Sequence, residues 1–161
     1  MATLGRSFTV DTAPLLAVAR QFENGATIAQ EELLTAMEGG LDDLYGDIKD
    51  VTPRCRTGKL QDSLEKSAVQ SGKDISGTVK SLGSIAPYNE WVHDGRGPVV
   101  AKPGKALKIT FCDGTTIFRK RVRAAKANPF MDKGLRKAEP GILKRFEQAE
   151  ARIVQRLEGG S

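Results

Sequence analysis

Residues 105–123 read KALKITFCDGTTIFRKRVR, two β-prone runs on either side of Asp113-Gly114. Asp-Gly supplies the positive φ angles of a two-residue turn whose twist matches the flanking strands, so the stretch predicts a β-hairpin. A two-residue turn pairs Cys112 with Thr115, Phe111 with Thr116, Ile109 with Phe118 and Lys108 with Arg119. On that register Leu107, Ile109, Phe111, Phe118 and Val122 make one apolar face. The other gathers Lys108, Arg119, Arg121 and Arg123 around Thr110 and Ile117. Like charges directly opposed repel, so this second face must meet water, an acidic surface or phosphate.

What flanks the hairpin decides the class. Downstream, Asn128-Pro129 is a cap followed by a first-turn proline, and Phe130, Met131, Leu135 and Ala138 follow at helical spacing. Pro140 is expected to interrupt this helix. Beyond it Ile142, Phe146, Ala149, Ile153 and Leu157 form a stripe that needs a partner. The C-terminal helix is therefore placed at 128–158.

Upstream, residues 1–12 read as an N-terminal arm, and Asp11-Thr12-Ala13-Pro14 as a helix start. Leu15, Val18, Phe22, Ile28, Leu33, Met37, Leu41, Leu44 and Ile48 then recur at three- and four-residue steps, which predicts one long amphipathic helix over 13–50. Unbroken, it would extend on the order of 55 Å at 1.5 Å per residue. Gly25 and the Gly39-Gly40 pair weaken it, so a kink or break is expected there.

Val51-Thr52-Pro53 ends that helix, and Thr57 can cap a short one through Leu64. Ser67 to Leu82 reads as two strands joined at Gly72-Lys73-Asp74, and Ala86 to His93 as a helical turn or two. Residues 94–104 carry three glycines and two prolines, a loop composition. The whole chain, 1–161, reads as a single domain of α+β class. A long N-terminal helix and a C-terminal helix pack on a small antiparallel sheet with a β-hairpin, the short helix and sheet occupying 51–127.

Composition sets wide bounds. Lys+Arg 25 against Asp+Glu 20 give a net charge of +5. That permits nucleic acid, an anionic membrane or an acidic partner and selects none of them. Cys55 and Cys112 have no paired spacing, which argues against a disulfide framework and fits a reducing compartment. No basic-then-apolar leader and no apolar run of about 20 residues is present. The expectation is a soluble, unsecreted protein with no membrane partner.

Catalytic chemistry finds little to build on. His93 is the sole histidine and has no companion at metal-ligand spacing, so neither a metal nor a cofactor site is expected. HDGRG at 93–97 lacks the phosphate-loop pattern and reads as an interaction loop. Asp42-Asp43, Asp47 and Glu31-Glu32 read as solvated helix surface. For the basic run, phosphate contact by Arg119, Lys120, Arg121 and Arg123, with Lys126 nearby, stands against a solvated sheet face. No aromatic platform lies on that face to stack bases, and the solvated reading is favoured. Two long amphipathic helices on so small a sheet leave apolar surface that favours self-association.

Three separated segments resemble one family. They are Thr52-Pro53-Arg54-Cys55-Arg56-Thr57-Gly58-Lys59-Leu60-Gln61-Asp62-Ser63-Leu64, then Tyr88-Asn89-Glu90-Trp91-Val92-His93-Asp94-Gly95, then a series in order: Lys105-Ala106-Leu107, Phe118-Arg119-Lys120-Arg121-Val122 and Ala127-Asn128-Pro129-Phe130-Met131. Together, over roughly residues 50 to 140, these resemble the head-to-tail joining and tail-completion proteins of long-tailed bacteriophages, the group similar to minor tail protein Z. Arg54-Cys55-Arg56 stands where that family commonly has an acidic residue, and the segment after Arg123 lacks its usual His-Pro-Gly.

The resemblance implies a virion structural protein without catalytic residues or cofactor. It would form a ring of six copies between the head connector or head-completion protein and the tail terminator or tail tube. Thr57, Gly58, Leu60, Tyr88, Val92, Gly95, Pro129, Phe130 and Met131 are the implied core of the motif. Phe130 and Met131 are expected to anchor the last helix on the apolar face of the hairpin. Arg96, Lys102, Lys108, Arg119, Arg121 and Arg123 are the candidate partner contacts. A small basic nucleic-acid-binding protein using the charged hairpin face is the alternative, with direct DNA contact not favoured.

Overall fold

The computed structural model describes residues 4–12, 25–54, 58–71, 74–110 and 114–158. The expected helix over 13–24, the Thr57 cap, the turn at Gly72-Lys73 and the hairpin tip at 111–113 lie outside these residues.

The class is α+β. Helix α1, Gly25–Val51, and helix α4, Phe130–Glu158, extend about 40 Å each at 1.5 Å per residue. Ion pairs fix their sense. Asp47 and Asp50 meet Lys137, Asp43 meets Arg145, and Glu32 meets Arg152 and Arg156. As residue numbers rise along one helix they fall along the other, so the pair is antiparallel. The carboxylates of α1 are therefore partnered across the helix seam rather than simply solvated, which corrects the sequence expectation for Asp43, Asp47 and Glu31-Glu32. Asp42 pairs instead with Lys66.

Glycine sets how closely the two helices approach. A Cβ on Gly134 would lie 2.6 Å from Cα of Ile48, so α4 touches the backbone of α1 at that point. A Cβ on Gly40 would be 3.4 Å from Ile142, and one on Gly39 would be 2.8 Å from the Arg145 guanidinium. The Gly39-Gly40 pair does not break α1, which is continuous through it. Its missing side chains instead admit Ile142 and the Arg145 that clamps Asp43 with two hydrogen bonds of 2.6 and 2.9 Å. Pro140 likewise does not interrupt α4. A mid-helix proline costs about 3 kcal/mol, and buried Ala138, Ile142, Ala149 and Ile153 on both sides of it supply packing that offsets this. The C-terminal stripe has found its partner inside the chain.

Residues 4–11 are not a free arm. They form strand β1, Leu4–Asp11, which pairs antiparallel with β3, Asp74–Ser81; β2, Leu64–Ser71, pairs with the other side of β3, giving the order β1-β3-β2. The register sets Phe8 opposite Gly77 and Val10 opposite Ile75. Because facing residues share a side, these join Val79 on the face covered by the helices. Gly77 lies within β3 rather than at a turn, and a Cβ there would come within 2.8 Å of the Met37 sulfur. Two short helices, α2 at Lys59–Asp62 and α3 at Asn89–His93, close one end of this layer.

The rest of the chain forms an extended antiparallel ribbon. Strand β5, Leu107–Thr110, pairs with β6, Thr116–Arg119, and β4, Val99–Val100, with β7, Arg121–Val122. Arg96 and Ala125 exchange backbone hydrogen bonds of 2.9 and 3.0 Å at its root. Segment 94–104, expected as a loop, is thus largely one side of this ribbon.

The hairpin register is one residue away from the sequence expectation. Lys108 faces Phe118, Ile109 faces Ile117, Leu107 faces Arg119, and Thr110 faces Thr116. A one-residue slip on one strand moves its whole side-chain set to the opposite face. Ile117 therefore joins Leu107 and Ile109 on the half-buried face, and Phe118 moves out beside Lys108, 66% exposed.

Candidate interaction surface

Residues of all three motif segments meet at one place, although 105–107 and 118–122 of the third lie on the ribbon. Leu60, Phe130 and Met131 are buried in the larger core cluster with Leu44, Ile48, Val79 and Ala86, and Tyr88 and Val92 pack against it. Pro129 immediately precedes α4 and accepts the Lys133 amide at 3.0 Å. Gly58 opens α2 at φ 67°, a left-handed conformation that favours glycine. Phe130 and Met131 thus seat α4 on the helices and β3; among the described residues no hairpin residue belongs to that cluster.

A polar network missed in the sequence ties these segments. The Ser63 hydroxyl lies 2.8 Å from that of Ser81, and Asn89 Nδ2 donates to the Ser81 carbonyl at 3.0 Å. Ser63 also donates to the Leu60 carbonyl at 2.7 Å. All three side chains are buried and hydrogen-bonded, so the network fixes the joints of α2, β3 and α3 without a desolvation penalty. Short polar residues in apolar surroundings were the sole sequence signal for it.

His93 is buried against Phe130, ring centroids 5.5 Å apart and planes 79° from parallel. Its Nδ1 lies 2.5 Å from Asp94, and Nε2 faces Asp132 at 3.6 Å without a hydrogen bond. Arg6 of β1 donates to the same Asp132 at 2.5 Å. This bond holds the Asp132 carboxyl below its ordinary value against partial desolvation, with the charges of Arg6 and His93 adding to it. It raises Arg6 in return. Glu32 is lowered by its bond from Arg152, with Arg156 contributing.

A carboxyl depressed on folding binds fewer protons in the folded chain than in the unfolded one between the two values. Its stabilisation is complete above the unfolded value, about 4, and is lost as pH falls through the lower folded values. Urea midpoints are therefore expected to hold from about pH 6 to about pH 4 and to decline below that. Asp132→Asn should be less stable than the parent at neutral pH and should shed part of the acid decline. An identical acid slope in the variant would rule out Asp132 as a contributor.

Among the described residues no cluster of His, Cys, Asp and Glu could hold a metal ion, and no helix is long and apolar enough to cross a membrane.

The feature that offers itself to a partner is the ribbon. Its strands are chiefly each other's neighbours and pack little on the helices or the three-stranded sheet. Gly95, at φ 77°, lets it leave the body closely: a Cβ there would be 2.8 Å from the Ala125 carbonyl and from the Ala127 amide. The Asn128 amide bonds the Val92 carbonyl at 3.0 Å, tying the root to α3.

Residues 95–127 hold nine Lys and Arg and one Asp, a charge of +8, whereas the remainder holds 16 basic and 19 acidic residues, a charge of −3. The positive charge of the whole chain is thus carried by this arm. Lys102, Lys108, Arg119, Arg121 and Arg123 are exposed and Arg96 is half-buried; none has an ion-pair partner among the described residues. Lys102, Lys105 and Lys120 surround a shallow hollow at the bend of the arm. The corrected register separates Lys108 from Arg119, which shares the side of Leu107, and sets Phe118 beside Lys108 instead, so the expected single charged face is divided; Val100 is 65% exposed nearby. Comparison with protein-family models, with curated proteins and with solved structures yields no match.

Proposed function

We propose that the chain is a non-enzymatic structural subunit of a tailed-phage particle, forming a ring at the head–tail junction that joins the head connector to the tail tube. The observation that carries this reading is the division of the molecule. A body of net charge −3 gathers Leu60, Tyr88, Val92, Phe130 and Met131 of the motif segments in one cluster and projects an arm of charge +8 that carries the rest of the third segment. Unlike surfaces on one subunit favour head-to-tail contacts, and such contacts generate rings when the rotation closes. The motif resemblance supplies the place in the particle, the six copies and the neighbouring connector and tail proteins.

In a phage carrying this coding sequence, a nonsense mutation here is expected to leave filled heads and free tails that do not join. Added purified protein should restore joining in extracts. Normally joined, infectious particles from the mutant would overturn the reading.

A second reading, a basic nucleic-acid-binding protein, is favoured by the hollow lined by Lys102, Lys105 and Lys120. Each phosphate neutralised releases condensed counterions, so such binding would weaken steeply with salt.

A further inference from the structure

The last helix presents a surface that answers the arm. Glu139, Leu143, Glu147, Glu150 and Val154 recur at four- and three-residue steps, so they share one outward face of α4. All five are exposed, Leu143 by 58%, and the three glutamates have no ion-pair partner among the described residues. The other acids near this helix are already engaged: Asp43, Asp47, Glu31 and Glu32 are paired across the seam.

Beside this face runs an apolar groove of about 360 Å³. Phe8 and Val10 of β1 form one wall, and Leu135, Ile142, Leu143 and Phe146 of α4 the other. It follows β1, an edge strand of its sheet. An apolar groove with Glu139 and Arg136 at its rim, and with Glu147 and Glu150 farther along the same helix face, thus lies on the same molecule as an arm bearing an exposed aromatic beside an unpaired cation.

We infer that the arm of one copy docks on α4 of a second copy, with Phe118 seated in the Phe8–Leu143 groove and Lys108, directly opposite it in the ribbon, and Lys120, two residues on, facing Glu139, Glu147 and Glu150. Charge complementarity selects the occupant. Phosphate would be repelled from the glutamate face, whereas the arm matches it in both charge and apolar content. The aromatic supplies a buried anchor and the ion pairs supply orientation and register. The contact joins two different surfaces, so each copy keeps one arm and one groove free for the next. It deepens the assembly reading above and rests on it only for closure into a ring.

The test uses the purified full chain with Cys55→Ser and Cys112→Ser. One population carries Phe118→Cys and another Leu143→Cys, and they are mixed under mild oxidation at low salt. The mixed disulfide dimer should exceed either homodimer by about tenfold. Equal yields of the three products would overturn the contact.

In the Phe118→Cys population, adding Lys108→Glu and Lys120→Glu should reduce the mixed product about tenfold. Adding Glu147→Lys and Glu150→Lys to the Leu143→Cys population should recover most of it. These positions are exposed, and circular dichroism reports that each variant is folded. A reversal that abolishes binding to a short DNA duplex but leaves cross-linking unchanged would assign the arm to nucleic acid and overturn the proposal. Because purified chain alone is used, failure here leaves the phage joining result standing, and failure of joining leaves this one standing.

Discussion

Phe130→Ala is expected to lower the unfolding free energy by about 3–5 kcal/mol, one of the largest single effects in the chain. Phe130 is fully buried and is the bulkiest of the fully buried side chains described. It packs with Leu44, Ile48, Leu60 and Met131 and meets the edge of His93. Alanine would remove the ring from the junction of α1, α2, α3 and α4 and leave a cavity that rigid neighbours cannot close. For a chain of this length the change corresponds to a thermal midpoint lower by about 10 °C. Phe130→Leu, which keeps more of the volume, should cost about 1.5 kcal/mol or less. A denaturant titration placing Phe130→Ala within about 1 kcal/mol of the parent would show that this junction does not hold α4.

Gly134→Ala should destabilise by about 2–3 kcal/mol although alanine is the better helix former. Glycine to alanine in a helix interior normally gains about 1 kcal/mol. Here the new methyl would meet Ile48 at Cα and at the amide nitrogen, 2.6 and 2.8 Å away. Backbone cannot rotate aside as a side chain can, so the helices must separate along a seam packed on both sides. Gly46 provides the internal control. It also lies in a long helix, but a Cβ there meets nothing within 4 Å, so Gly46→Ala should stabilise by up to about 1 kcal/mol. Opposite signs for the same chemical change, read from urea midpoints, would establish the close crossing. Equal signs would refute it.

Both positions show how far the sequence could be read. The apolar spacing of Leu33, Met37, Leu41, Leu44 and Ile48 marks a helix, and it is one. The alternation around Ile75 and Val79 and the run from Leu107 to Arg119 mark strands, and they pair antiparallel. These signals are local, because a buried face imposes its own period on the residues that make it. Gly39-Gly40 and Pro140 point locally to breaks and break nothing, because packing between α1 and α4 outweighs propensities of a few kcal/mol. The hairpin register also departs from its local signal. Asp113-Gly114 suggests a two-residue turn, yet the observed pairing of Thr110 with Thr116 leaves an odd number of residues between them.

The candidate interaction surface was legible in part. The basic residues of the arm are visible as a run from Arg119 to Arg123, and their strand alternation is visible too. Their isolation from the body was not, because glycines and prolines in 94–104 look like a loop until Arg96 is seen paired with Ala125. Residues 4–11 gave no sign that they would be an edge strand, since their partner lies some seventy positions away in β3.

By itself, then, the sequence determined the α+β class, the extent of most elements and the concentration of positive charge near the hairpin, because periodicity and composition are properties of neighbouring residues. Tertiary structure alone decided that α4 covers α1, that Glu31, Glu32, Asp43, Asp47 and Asp50 of α1 are spent on that seam and that Phe118 faces outward. It also left Glu139, Glu147 and Glu150 unpaired beside an open apolar groove. Each of these depends on which distant surfaces meet, and that is settled by close packing and charge pairing between elements rather than by the pattern within any one of them.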